Sequence, residues 1–330
     1  MSSARKIGDV PIHPIGFGAM GLSVAYGPVE TEEERFKVLD AVYESGSRHW
    51  DTSDAYGDSE ELLGKWFKRT GKRDDIFLAT KFGLLLTGAR GEPEYVKEAC
   101  AKSLERLGVD HIDLYYLHRV DPKTPIEKTV GAMAELVKEG KVKYLGLSDC
   151  TANGLRRAHA VHPISALQVE FSPFILDIES PQLALLQTAR ELGVKIVTYS
   201  PLGRGLVTGQ IRSPDDFAPD DFRRTVPKFA TENFPKILSV VDQIAEIGKK
   251  HNATSGQVTL AWILAQGEDF HVIPGTKKIK YHLENMGASS VKLTPEEIAK
   301  IRKIAEECEL PGNRYGPGFN EMAYVESPPL

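Results

Sequence analysis

Short apolar runs recur along the chain, separated by stretches in which apolar positions return every three or four residues. The runs are Ile15–Gly18, Arg48–Asp51, Ile76–Lys81, Ile112–His118, Val142–Ser148, Ala166–Phe171, Lys195–Ser200 and Phe270–Gly275. Most are nearly continuous rather than alternating, the pattern of parallel strands covered by helices. Between them, Thr31–Ser45 places Phe36, Leu39, Val42 and Tyr43 on one helical face behind a capping box of Thr31 and Glu34. The same spacing predicts helices over Ser59–Thr70, Glu94–Leu107, Pro125–Glu139, Ala152–His159, Ser180–Leu192 and Lys236–His251, several closing on a glycine. Strict alternation implies right-handed parallel crossovers, and eight such units predict a closed (β/α)8 TIM barrel, one α/β domain over residues 1–330. An open dinucleotide-binding sheet would need its glycine turn to enter a helix directly. Gly16, Gly18 and Gly21 are present, but no helical pattern starts at once after them.

Two segments leave the rhythm. Residues 201–235 are rich in Gly, Pro and charge and read as a long, lid-like loop after the seventh strand. The tail, residues 310–330, mixes Pro and Gly with aromatic side chains; it either packs across a barrel mouth or frays. Composition narrows the function classes. The chain has 330 residues, 41% hydrophobic and 26% charged, and its 41 basic against 46 acidic residues leave a net charge of −5. A general nucleic-acid or anionic-membrane surface is therefore not expected, although a local basic cluster suffices for one phosphate. Cys100, Cys150 and Cys308 are too few and too scattered for a disulfide framework or a thiolate zinc site. No apolar run approaches a membrane span or a signal-peptide core, so a cytoplasmic protein is expected. Nothing in the pattern specifies an oligomeric state.

In such a barrel, chemistry collects where the strands end. Asp51 closes the second predicted strand with Tyr56 in the loop beyond it, Lys81 closes the third, and His118 the fourth. Singly, each has a plainer explanation: a buried ion pair, a packed loop aromatic, a satisfied core histidine. Together they form a proton donor with its supporting set. A lysine ammonium beside a phenol favours the phenolate left after proton transfer, a carboxylate fixes the lysine, and an imidazole orients the substrate oxygen. A metal hydrolase on this barrel would need several histidines, commonly a His-x-His pair, and none of the nine histidines forms one. No metal is expected.

The remaining strand ends suit an extended, phosphate-bearing ligand. Ser148, Asp149 and Gln168 offer hydroxyl, carboxylate and amide groups to an amide-bearing ring, and Tyr199 offers a face to stack on. Ser200, Leu202, Gly203 and Arg204 follow the seventh strand. After the eighth, Ile273, Gly275, Thr276, Lys277 and Lys278 lead into a helix around Glu284 and Asn285, forming either an anion site or a solvated basic helix start.

These segments resemble the aldo-keto reductase family. The run Asp51-Thr52-Ser53-Asp54-Ala55-Tyr56-Gly57 is similar to that family's signature, and Ala79-Thr80-Lys81 and Asp113–His118 resemble its lysine and histidine strands. Tyr199–Gly203 and Ile273–Thr276 resemble its nicotinamide and phosphate segments, and the order holds from about Ile15 to Ala288. Leu155–Glu170 is most similar to the microbial and plant branch that includes pyridoxal reductase-like and perakine reductase-like enzymes. The resemblance implies NADPH, with NADH less favoured, bound across the mouth, and a small carbonyl compound as substrate. It implies Tyr56 as general acid, Lys81 and Asp51 as its support, and His118 as the group that polarises the carbonyl. It further implies cofactor contacts at Gly18, Met20, Asp51, Ser148, Asp149, Gln168, Tyr199, Ser200, Leu202, Gly203, Arg204, Ile273, Gly275, Thr276, Lys277, Lys278, Glu284 and Asn285. Met20, Tyr26, Phe82, Phe171 and Phe174 are expected as apolar walls. Two positions depart from the commoner pattern: Asp149 stands where many members have Asn, and Tyr281 where several have Arg or Gln. A carboxylate cannot donate to a carboxamide carbonyl, so altered nicotinamide contacts are expected. Other readings of the same chain are a cofactor-sensing subunit resembling channel β subunits, and an aldolase or hydrolase using Lys81 as a Schiff-base amine.

Overall fold

The computed structural model describes residues 5–316 and 318–330. Eight parallel strands follow one another around the sheet in chain order. They are β1 (Phe17–Gly18), β2 (His49–Asp51), β3 (Phe77–Phe82), β4 (Ile112–Leu117), β5 (Val142–Ser148), β6 (Ile164–Glu170), β7 (Lys195–Tyr199) and β8 (Phe270–Val272). The sheet closes on itself: Ile15 bridges Val272 and Gly18 bridges Gly275, both in parallel register. The Gly16 N–H donates to the Val272 carbonyl at 2.8 Å, and the Val272 N–H to the Pro14 carbonyl at 2.9 Å. This is the (β/α)8 barrel that the alternation predicts.

The alternating pleat sorts side chains into two cores. Inside the barrel, Ile7 and Ile12 pack with Phe77, Ala79, Leu114, Tyr116, Ala166, Val197 and Ile273. Outward residues meet the surrounding helices in a larger core, where Trp50 lies 4.7 Å from Trp66 and Phe171 stacks on Trp262 at 5.8 Å between ring centroids. Each such side chain, once fully buried, contributes about 1.5–3 kcal/mol of transfer free energy.

Several elements escape the periodicity. Ile7 and Ile12 reach the interior from an antiparallel hairpin, Arg5–Ile7 with Val10–Ile12, whose strands of three residues are too short to show a repeat. The helix Ser255–Leu264 is buried nearly all round and so has no polar face to mark its period. The helix Pro295–Glu307 carries a capping box of Thr294 and Glu297, which the strand–helix alternation passes over. The predicted loop 201–235 forms a succession of short 3-10 turns up to Asn233, where the helix Phe234–Lys250 begins. Of the tail, Tyr324 donates its N–H to the Asp149 carbonyl at 2.8 Å, and Val325 bridges Cys150, which lays this segment across the strand ends. No described helix is long and apolar enough to cross a membrane.

The seam between first and last strand depends on two glycines. A Cβ on Gly275 would stand 2.7 Å from the Gly18 carbonyl oxygen, and one on Gly18 would stand 2.8 Å from the Ile273 carbonyl oxygen. Backbone atoms cannot rotate away. Gly275→Ala is expected to lower stability by about 1–3 kcal/mol. An unchanged denaturant midpoint would show that the seam yields.

Candidate active site

The side chains that point inward at the C-terminal ends of β2 through β7 meet at one mouth, because alternate residues of each strand share a face. Lys81, the inward residue near the end of β3, is fully buried. Its Nζ donates to Asp51 Oδ1 at 2.5 Å and to the Thr52 carbonyl at 2.7 Å, and stands 3.4 Å from the Tyr56 hydroxyl. Asp51 spends its other oxygen on the Gln168 amide, which donates at 2.8 Å. Burial opposes the ammonium, but the charge of Asp51 and the phenol oxygen of Tyr56 outweigh it and hold the Lys81 pKa above its ordinary value. A lysine whose charge is favoured in this way does not suit a Schiff-base nucleophile.

Tyr56 sits in the turn before the helix Ser59–Thr70 and is partly exposed. Its ring meets the His118 ring edge-on, with centroids 5.7 Å apart. His118 is buried, and its Nδ1 lies 3.0 Å from the Ser53 hydroxyl. Burial, together with the nearby charges of Lys81 and Arg119, pushes the His118 pKa well below the usual imidazole range. The imidazole is therefore neutral near pH 7. The four residues Asp51, Tyr56, Lys81 and His118 converge as their strand-end positions suggest.

A second cluster was not anticipated. Arg119, directly after His118, is buried and pairs with Asp149 at 3.1 Å. It also donates to the His118 carbonyl at 2.7 Å and to the Ser148 hydroxyl at 3.4 Å. Asp149 in turn accepts from the Tyr199 hydroxyl at 2.7 Å, and Tyr199 contacts the Tyr315 hydroxyl at 2.5 Å. Glu170 pairs with Arg204 at 3.2 Å and with Arg314 at 3.5 Å. The carboxylate at position 149 thereby has a structural reason: it answers the guanidinium at 119. The signal was present in the sequence as an arginine following a strand-ending histidine. It becomes readable only when paired with the acid where Asn is commoner.

At the far side of the mouth, Lys277 Nζ donates to the carbonyls of Tyr26 and Pro28, the latter at 2.9 Å. Lys278 Nζ lies 3.2 Å from Glu30. Thr276 Oγ1 accepts from the Lys278 N–H, ahead of the helix Ile279–Gly287. Asn285 is buried in that helix, and Glu284 accepts from Thr254 at 2.7 Å. Tyr281 donates to Gln210 at 2.9 Å and so ties this helix to the 201–235 loop. Ser200, Gly203 and Arg204 all have left-handed backbone, folding the chain sharply after β7 with Leu202 among them. Gly18, Ile273 and Gly275 form the barrel seam, and Met20 begins a single helical turn beyond it.

The expected apolar wall needs correction. Phe82 is fully buried and stacks on Tyr115 at 4.8 Å, and Phe171 is fully buried against Trp262. Each follows an inward residue, Lys81 or Glu170, so the pleat turns it outward into the helix-facing core, away from the mouth. Phe174 instead lies against Gly203 at the β7 turn, and Tyr26 meets Phe222 of the 201–235 loop edge-on at 5.4 Å. Among the described residues, no group of three or more His, Cys, Asp or Glu is placed to hold a metal ion.

Comparison with known proteins identifies the family of the chain. The sequence model of the aldo/keto reductase family matches residues 14–306. The chain is 70% identical over 315 residues to aldo-keto reductase str7 of Strobilurus tenacellus, covering 94% of each chain. It is 48% identical to aldo-keto reductase yakc [NADP(+)] of Schizosaccharomyces pombe, over 99% of this chain and 98% of that one. Among solved structures, the glycerol dehydrogenase AKR11B4 of Gluconobacter oxydans superposes with a TM-score of 0.85 at 25% identity, over 94% of this chain and 97% of that one.

The Arg119–Asp149 pair generates a prediction. Asp149→Asn removes the counter-charge of a buried guanidinium and should cost about 3 kcal/mol of stability. The double variant Arg119→Met, Asp149→Asn should recover much of that loss. Additive losses in the denaturant-melt cycle would show that the two side chains do not depend on each other.

Proposed function

Because the chain belongs to the aldo/keto reductase family and is an oxidoreductase, we propose that it reduces an aldehyde or ketone to an alcohol with NADPH as the reductant. The observation that carries this reading is the Tyr56 hydroxyl, 3.4 Å from a buried ammonium and partly open to the barrel mouth. When bound, the reduced nicotinamide supplies a hydride to the carbonyl carbon. Tyr56 delivers the proton to the carbonyl oxygen. Lys81, immobilised by Asp51 and the Thr52 carbonyl, offsets the negative charge left on the phenol oxygen. Neutral His118 hydrogen-bonds the substrate oxygen and orients it without competing for the proton. In the oxidising direction the same groups run in reverse.

The residues at the mouth fit the cofactor. Asp149 Oδ1 is buried without a hydrogen-bond partner among the described residues, an acceptor suited to a carboxamide NH2. The Ser148 hydroxyl beside it supplies the donor that a carboxylate lacks. Gln168, committed to Asp51, contributes through its remaining amide oxygen. The ring face of Tyr199, whose hydroxyl is anchored on Asp149, suits the nicotinamide. Thr276, Lys277 and Lys278 suit the 2′-phosphate, and Ser200 to Arg204 the pyrophosphate; Asn285 and Glu284 suit the adenine. Lys277 now rests on two neutral carbonyls, which a phosphate dianion displaces readily. The NADP(+) in the name of the Schizosaccharomyces relative supports NADP(H) as the cofactor. Tyr26 and Phe174, with Tyr315 of the tail, favour apolar or aromatic carbonyl compounds.

Tyr56→Phe should leave NADPH affinity unchanged in a fluorescence titration while turnover falls about 100-fold or more. Full activity would refute the acid assignment. Lys277→Ala should raise the KM for NADPH about tenfold and leave that for NADH nearly unchanged. Equal losses for the two cofactors would mean that this lysine does not read the 2′-phosphate.

A further inference from the structure

We infer that Ser53 is a positioning residue that sets the tautomer of His118. Its hydroxyl donates to Nδ1, so that Nε2 carries the proton and faces the substrate oxygen as a donor. The inference rests on the carbonyl-reducing reading above.

The Ser53 side chain is fully enclosed, and the chain around it is fixed to β3. The Thr52 N–H donates to the Ala79 carbonyl at 2.9 Å, and the Asp54 N–H to the Lys81 carbonyl at 3.0 Å. A serine hydroxyl has one proton and two lone pairs. One lone pair is taken by the Ala55 N–H at 3.1 Å, which leaves the proton to choose among three acceptors. His118 Nδ1 stands at 3.0 Å, whereas the Lys81 carbonyl and Asp54 Oδ1 both stand at 3.4 Å, the outer limit of a hydrogen bond. The closest acceptor is the imidazole nitrogen.

His118 is neutral, so it has a single N–H, and the partner of one nitrogen decides the state of the other. With Nδ1 accepting, Nε2 is protonated. The opposite tautomer would force the Ser53 hydroxyl onto one of its long contacts and turn an Nε2 lone pair toward the reacting oxygen. That oxygen gains negative charge during reduction, so a donor stabilises the transition state and a lone pair opposes it. Lys81 does not substitute for this selection, because its Nζ is directed to Asp51, the Thr52 carbonyl and the Tyr56 hydroxyl, and Tyr56 meets the His118 ring only edge-on.

The test reads the tautomer directly. Long-range 1H–15N correlation on histidine-labelled enzyme, with His118 identified by the signals lost in His118→Gln, should show the Nε2–H form at about pH 6 through 8. Ser53→Ala should move His118 toward a mixture of tautomers and lower kcat about tenfold, with the KM for NADPH unchanged. Ser53→Thr, which restores the hydroxyl, should recover the Nε2–H signal. A wild-type spectrum of the Nδ1–H form overturns the inference. So does a Ser53→Ala variant whose kcat falls while its tautomer stays the same, since that loss would be packing alone. If Ser53→Ala does not fold, the wild-type spectrum decides. An Nε2–H spectrum in a protein that reduces no carbonyl would support the Ser53 contact while rejecting the proposed reaction.

Discussion

A lysine ammonium with no access to water is tolerable only when its charge and its protons are all answered. Lys81 meets that condition at the end of β3, and much of the site follows from how it does so. The carboxylate of Asp51 supplies the charge from β2 and hands its second oxygen to Gln168 on β6, so one ion pair locks three strand ends in register. The Thr52 carbonyl takes another proton and fixes the loop that carries Ser53 and Tyr56. Of the groups around this ammonium, the phenol is the one that reaches the mouth. A buried charge that costs stability elsewhere thus holds the Tyr56 hydroxyl in one place.

Above that layer lies a second, balanced in charge. Arg119, Arg204 and Arg314 interleave with Asp149, Glu170 and Asp177, and the hydroxyls of Tyr199 and Tyr315 join the strands to the tail. Charges so enclosed are stable only as a set. This explains why an acid at 149 accompanies an arginine at 119: separately each would be a penalty, together they are neutral and hydrogen-bonded. The carboxylate keeps one oxygen free of protein partners among the described residues.

The barrel was legible because its eight strands are apolar runs and most of its helices have a wet face. The bounds of β5 and of the helix Ser59–Thr70 coincide with those read from the sequence. The hairpin at Arg5–Ile12 and the helix Ser255–Leu264 were not, the first for want of length and the second for want of a polar side. The convergence of Asp51, Tyr56, Lys81 and His118 was legible from strand ends alone. Phe82 and Phe171 show the limit of that rule, since a residue one step from an inward side chain faces the opposite way. Counting by twos from Lys81 or Gln168 would have placed both correctly. Arg119 and Arg314 are not readable from their own positions, for another reason. Their worth depends on partners 30 or more positions distant, and pairings across the mouth leave no local pattern.

Tail residues Arg314, Tyr315 and Tyr324 touch strand ends β5 to β7 without contributing a strand to the barrel. The exposed positions of this segment can accumulate changes at little cost to folding, whereas Arg314, buried against Glu170 and Asp149, cannot. Variation in what reaches the mouth therefore falls most cheaply on the exposed positions of the last twenty or so residues, where it leaves the Lys81 layer untouched.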